Sequence, residues 1–215
     1  MILKYPVSAN LNWTKEHLMQ ILCGGSKPLI VDPLIINAFN QINRKDFVPE
    51  NLRYLSYNDI SIEIGNNVVL NKPTTIGEML TCLKPKFGGK YLVLGTATGY
   101  EALLLSVITG ETGKVYSLES VQWIHTFARK NLLEYPKIRN VEMLIRDPHK
   151  GLIEKAPYDG ILMTKVGEDV EQKVLEQLTV NSGRLVLLRK DYNVSIIERK
   201  SADIFEEEIV DIISM

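Results

Sequence analysis

The chain has 215 residues, 45% of them hydrophobic and 24% charged, with a formal net charge of -1. That length suits one domain with a sizeable core, or one domain and a small appendage, at the composition of an ordinary soluble globular protein. Near-neutral charge argues against a nucleic-acid or anionic-membrane binder. The two cysteines, Cys23 and Cys82, lack CxxC spacing, which argues against a zinc site or a disulfide framework and suits a reducing compartment.

The N-terminal MILKYPVSANLNW lacks the long apolar segment of a signal peptide, and no stretch approaches the ~18 uncharged apolar residues of a membrane helix. The expectation is a soluble, cytoplasmic protein. Residues 14–23 predict a short helix with Thr14 as N-cap, stopped by Gly24-Gly25. Asp32-Pro33 opens a second helix over about 33–43. Proline stands at its first position, and Leu34, Ile35, Ala38, Phe39 and Ile42 fall on one face. NRKDFVPENLRYLSYND then reads as an irregular linker with a proline stop.

From residue 90 short apolar strands alternate with helices. Strands are expected at 91–94, 114–119, 141–145, 158–164 and 183–188, and helices at 99–108, 121–134 and 169–178. Near-continuous apolar strands interleaved with helices predict an α/β, Rossmann-like fold, a mostly parallel sheet covered on both faces. VSIIER (194–199) and FEEEIVDII (205–213) have no helix between them and are expected to close the sheet as an antiparallel hairpin. Residues 1–80 would form a helical cover over one face or the cleft, with 81–215 as the ligand-binding domain, the two making one compact unit.

In such a sheet ligands bind outside the carboxyl ends of the strands, where strand order reverses. The turn Gly95-Thr96-Ala97-Thr98-Gly99 lies there, between the strand 91–94 and a helix. Glycine admits close backbone approach, and the helix N-terminus favours negative charge. Glu119 ends the second strand, 20 residues past Gly99, the spacing of an acid that accepts from two ribose hydroxyls. Asp147 follows the third strand, where a carboxylate can receive an adenine amino group. Glycine turn, acid and acid at successive strand ends outline a nucleoside site. Singly, each has a plainer reading: a tight turn, a helix cap and an Asp-Pro turn. His17, His125 and His149 are the only imidazoles and make no metal-ligand spacing, so no metal is expected.

The ordered motifs resemble the protein-L-isoaspartate (D-aspartate) O-methyltransferase family over about residues 26–213. The resemblance runs through Arg44, Phe47, Val48 and Pro49, YNDISIEIG (57–65), LNKPTTIGEM (70–79), LVLGTATGYEALLLS, VYSLE, APYDGILMT (156–164) and LEQLTVNSGRLVLL (175–188). It implies a class I methyltransferase fold, S-adenosyl-L-methionine as cofactor, and methyl transfer to L-isoaspartyl residues of damaged proteins and peptides. Cofactor contacts would fall on Gly95, Thr96, Ala97, Gly99, Tyr100, Glu119 and Asp147. Asn71 aligns with the serine that the family uses in catalysis.

Several positions depart from the pattern. Val93 stands where the family carries an acid, Ala97 replaces its middle glycine, Val69 a threonine, and Arg146-Asp147-Pro148 a Gly-Asp-Gly. If Ala97 needs positive φ, strain of about 1 kcal/mol or more follows. Asn71 reads either as an amide that orients the acceptor carboxylate or as a turn residue before Lys72-Pro73. Lys72 reads as a contact for a peptide carboxylate or as an exposed lysine. Thr74 and Thr75 read as caps of the next helix, Thr75 with Glu78 at capping-box spacing, or, for Thr74, as a substrate contact. Three functions remain open: the isoaspartyl methyltransferase, a catalytically impaired homologue that binds or regulates, and a methyltransferase for another acceptor.

Overall fold

A computed structural model describes residues 13–165 and 169–211. Helix α1 (Lys15–Cys23) begins after Thr14, whose backbone N–H donates to Nδ1 of His17 at 3.2 Å. Helix α2 (Pro33–Gln41) is capped by Asp32, whose Oδ1 accepts from the Leu34 N–H at 2.8 Å. The stretch expected to be an irregular linker forms two 3-10 turns, Arg44–Phe47 and Glu50–Leu55. Both are ordered by burial, with Phe47 and Leu55 fully inaccessible.

A hairpin that sequence reasoning missed follows: β1 (Ile62–Gly65) antiparallel to β2 (Val68–Leu70). Asn66 and Asn67 turn it with φ of 50° and 61°, the left-handed pair of a type I′ turn that asparagine tolerates. Helix α3 (Pro73–Leu83) then crosses onto the sheet and packs against the strands Gly160–Met163, Arg184–Leu188 and Val194–Arg199.

The sheet is built from β3 (Lys90–Leu94), β4 (Lys114–Glu119), β5 (Val141–Ile145), β6 (Gly160–Met163), β7 (Arg184–Leu188), β8 (Val194–Arg199) and β9 (Phe205–Val210). Its order is β5-β4-β3-β6-β7-β8-β9, with β3 to β7 parallel and β8 and β9 antiparallel. This is the expected sheet with its terminal hairpin; residues 212 and 213 of the predicted last strand lie outside the described residues. Helices α4 (Tyr100–Thr109) and α5 (Gln122–Leu133) follow β3 and β4. The helix expected over 169–178 is only one turn, α6 (Gln172–Leu175). The Gln177 carbonyl and the Thr179 N–H are taken by the backbone of Tyr158, so the chain leaves the helix to extend the sheet.

Side chains alternate between two cores. Tyr91 and Val93 face a cluster that includes Leu18, Phe39, Phe47, Leu70, Leu103 and Val186. Leu92 and Leu94 face Leu152, Tyr158, Val174 and Leu178. Among the described residues no helix is long and apolar enough to cross a membrane.

Candidate functional site

Strand order reverses between β3 and β6, and this is the switch point at which open α/β sheets hold ligands. Leu94, the last residue of β3, lies opposite Leu118 of β4 and Met163 of β6. The loop that leaves it is pinned tightly. The N–H groups of Gly95 and Thr96 both donate to the Leu118 carbonyl at 3.0 Å, and Gly99 N–H returns to the Thr96 carbonyl at 2.8 Å. Thr96 Oγ1 lies 2.8 Å from Ser117 Oγ, and the Thr98 carbonyl accepts from Asn131 Nδ2 at 3.0 Å.

Three alternate loop residues are left-handed: Gly95 at φ 83°, Ala97 at 44° and Gly99 at 86°. The two glycines serve different ends. A Cβ on Gly99 would stand 3.0 Å from Met143 Cε and 3.4 Å from Ala128 Cβ, so this glycine permits close packing. Among the described residues a Cβ on Gly95 would meet only Lys165 Cβ, at 4.0 Å, so this glycine is not there for close packing against them. Ala97 is the residue that carries strain. The N–H groups of Ala97 and Thr98 have no acceptor among the described residues.

The acids come to the same end of the sheet. Glu119 closes β4 and is buried; its Oε1 accepts from the Val121 N–H at 3.0 Å, ahead of α5. Its Oε2 has no protein donor among the described residues. The next strand's exit is tied to it, because Arg146 N–H donates to the Glu119 carbonyl at 3.1 Å. Asp147, the next residue, is exposed, and its Oδ1 accepts from the His149 N–H at 3.0 Å. Each acid therefore uses one oxygen as a local cap and keeps the other. A small hollow lined by Leu94, Pro148, His149, Met163, Asp169 and Val170 opens beside them.

The segment before the sheet reaches this place through Asn71. That side chain is 7% exposed, and its Nδ2 donates to the carbonyl of Thr164 at 3.0 Å. Thr164 is one residue past β6, as Gly95 is one past β3. Lys72 precedes α3 and is half-buried.

Two expectations need correction. Thr74 does not cap α3, because the helix begins one residue earlier, at Pro73, with Lys72 as its N-cap. The Thr74 N–H and Oγ1 both donate to the Asp59 carboxylate, at 2.9 and 2.8 Å. Thr75 also lies inside the helix and is not its N-cap. Tyr100 contributes its ring to the core rather than to a ligand: it is 1% exposed, 5.1 Å from the Phe47 ring and 6.3 Å from Phe39. Burial pushes its hydroxyl pKa well up. Val93 is likewise a core residue, 1% exposed.

Arg44 was legible only as part of a motif, without a role. It is 1% exposed, and burial lowers its pKa to about 10. Its Nη1 donates to the Ser56 carbonyl at 2.7 Å, and its Nη2 to the carbonyls of Ile60 and Asn71, both at 3.0 Å. Glu101, in the first turn of α4, is 2% exposed and raised to about 7, first by burial, against its own backbone N–H and Arg44. Among the described residues no group of three or more His, Cys, Asp or Glu side chains is placed to hold a metal.

Comparison with known proteins places this architecture. A protein-L-isoaspartate O-methyltransferase of Thermosipho melanesiensis is 34% identical over 179 residues, which cover 82% of this chain and 89% of that one. A solved protein-L-isoaspartate O-methyltransferase superposes with a TM-score of 0.76 at 25% identity, over 92% of this chain and 64% of that one, so this chain spans somewhat less than two thirds of it. A Plasmodium falciparum structure described under the same enzyme name, in complex with S-adenosyl-L-homocysteine, shares the fold at a TM-score of 0.70 and 20% identity, over 85% of this chain and 89% of that one. The model of the protein-L-isoaspartate(D-aspartate) O-methyltransferase family matches residues 13–209, and the chain belongs to that family.

Proposed function

We propose that the chain binds S-adenosyl-L-methionine at the carboxyl end of β3 and β4 and methylates the side of an L-isoaspartyl residue that carries its free carboxylate, in damaged proteins. The observation that supports this most directly is the Asn71–Thr164 hydrogen bond, which holds the family's acceptor loop beside the glycine loop at the switch point.

The residues fit the cofactor. Gly95 is open where a Cβ would otherwise intrude. The Ala97 and Thr98 amides suit a carboxylate. Glu119 Oε2 suits ribose hydroxyls and Asp147 an adenine amino group. When bound, the cofactor supplies a methyl group on a positively charged sulfur. The acceptor carboxylate is already a nucleophile, so the chain needs no general base. Its contribution is alignment of oxygen, carbon and sulfur. Asn71 keeps one N–H for that alignment, and Lys72 attracts the anionic acceptor. In this reading residues up to 80 supply the acceptor loop and cover, and the remainder the cofactor half. Cys23 and Cys82 are free thiols, which suits the cytoplasm, where damaged proteins would be its partners.

The test is methyl transfer from radiolabelled cofactor to an isoaspartyl peptide and to its normal aspartyl twin. Labelling of the first alone is expected. Equal labelling, or none, with S-adenosyl-L-homocysteine still bound, would point to another acceptor. No binding of either cofactor form would point to an impaired homologue.

A further inference from the structure

We propose that Arg44 is a positioning residue for methyl transfer: it fixes the base of the β1–β2 hairpin and thereby holds Asn71 against the carboxyl end of β6. This rests on the function proposed above. Arg44 touches neither the glycine loop nor the acids that follow β4 and β5, and acts only through Asn71.

The geometry is that of a staple. Ile60 and Asn71 flank the hairpin, and one nitrogen, Nη2, donates to both of their carbonyls at 3.0 Å. Nη1 ties the same guanidinium to the Ser56 carbonyl at 2.7 Å. Asn71 is thus gripped at both ends, by its carbonyl from Arg44 and by its amide Nδ2 on Thr164. A second tie, Asp59 on Thr74, fixes the start of α3 just beyond.

Stability alone is a poor account of this arginine. Among the described residues no carboxylate lies within ion-pairing distance of it, and its Nε has no partner. Glu101 and Asp59 attract the guanidinium only from beyond ion-pairing distance; a cation whose direct partners are neutral carbonyls is costly to bury, and an apolar side chain of similar volume fills such a space more cheaply. What arginine offers here is a planar fork whose donors point in fixed directions. A lysine ammonium on a flexible stem cannot reproduce them. Because a displacement of about 1 Å at a reacting centre can slow a reaction by about a hundredfold, the hold on Asn71 becomes a rate effect.

Arg44→Lys and, in parallel, Arg44→Gln are compared with the parent full-length chain well below their melting temperatures. In either folded variant, kcat for the isoaspartyl peptide is expected to fall about ten- to a hundredfold. KM for that peptide and the Kd of S-adenosyl-L-homocysteine by calorimetry are expected to stay within about threefold. Hydrogen exchange should quicken at amides 60–75 and 164 while those of β3 keep their protection. Asn71→Ala, which retains Arg44, should release the amides near 164 in the same way. A lower melting temperature with unchanged kcat, or unchanged exchange at 60–75, overturns the proposal, as does a loss of S-adenosyl-L-homocysteine binding that matches the loss of kcat. If the parent chain methylates no isoaspartyl peptide, the function proposed above fails, and the exchange pattern alone decides whether Arg44 holds the loop.

Discussion

Replacing Glu101 by glutamine should stabilise the protein most above neutral pH and progressively less as pH falls toward 4.5. Glu101 is wholly buried at the start of α4, and its Oε2 has no hydrogen-bond partner. Desolvation raises its pKa from 4.5 to about 7, although its own backbone N–H and Arg44 pull the other way. The sign follows from which state holds the proton. Below pH 4.5 both folded and unfolded chains carry it, and the group contributes nothing. Between pH 4.5 and 7 the unfolded chain gives it up first, so stability falls as pH rises. Above 7 both are ionised and the full penalty remains. The gap from 4.5 to about 7, at about 1.4 kcal/mol per pH unit, makes that penalty about 3.5 kcal/mol. Glutamine mimics the protonated carboxyl at every pH.

Urea unfolding of Glu101→Gln and parent at pH 5, 6, 7 and 8 should give a difference that grows from about 0.8 kcal/mol to about 3.3 kcal/mol, with a melting-temperature gap of roughly 6–12 °C at pH 8. Arg44 and Tyr100, the charged and titratable groups named around Glu101, ionise well above this range. Groups common to both proteins cancel in the difference, and a packing change displaces the whole curve without altering its slope. A difference that is constant with pH, or that favours the parent at pH 8, would refute the reasoning.

Ala97→Gly should also stabilise, since relief of about 1–2 kcal/mol of left-handed strain at φ 44° outweighs the roughly 0.4–1 kcal/mol that glycine adds to unfolded-state entropy. Calorimetric melting should rise by about 1–4 °C, and a fall would show that the surrounding loop already accommodates the alanine. Glu119→Gln should weaken S-adenosyl-L-homocysteine by roughly tenfold to a hundredfold in titration calorimetry, the effect of losing charge-assisted acceptance from ribose. An unchanged Kd would place the nucleoside elsewhere.

The inner strands β3, β6 and β7 were legible because burial on both faces makes them almost wholly apolar: Leu92 and Leu94 serve one core while Tyr91 and Val93 serve the other. The glycine turn and the two acids were legible because each stands at a strand end, where register sets position. Misreadings arose where a residue's role depends on a partner distant in sequence. Tyr100 looks like part of a ligand loop until Phe39 and Phe47 are seen against its ring. Thr74 looks like a cap until Asp59 takes both its donors. The predicted helix 169–178 shortens because Tyr158 claims backbone groups at its end. The β1–β2 hairpin had a local signal, Gly65-Asn66-Asn67 between β-branched residues, though weaker than an Asn-Gly turn.

The departures from the family pattern fall into two physical kinds. Val93 is a change of packing: its side chain faces the core with Tyr100 and Phe47, and a carboxylate at that buried position would need donors of its own. Ala97 and Asn71 are changes at the ligand-facing end, and they act in opposite directions. Ala97 keeps the left-handed backbone of a glycine at the expense of strain, so the loop's path survives although its stability suffers. Asn71 is longer than the serine whose place it takes, and its extra reach lets Nδ2 bond Thr164 while an N–H remains. A serine hydroxyl has a single hydrogen and cannot donate to Thr164 and to an acceptor carboxylate together. Asn71 therefore joins its loop to the end of β6 and retains a donor, and under the function proposed above the substitution is a route to alignment rather than a sign of its loss.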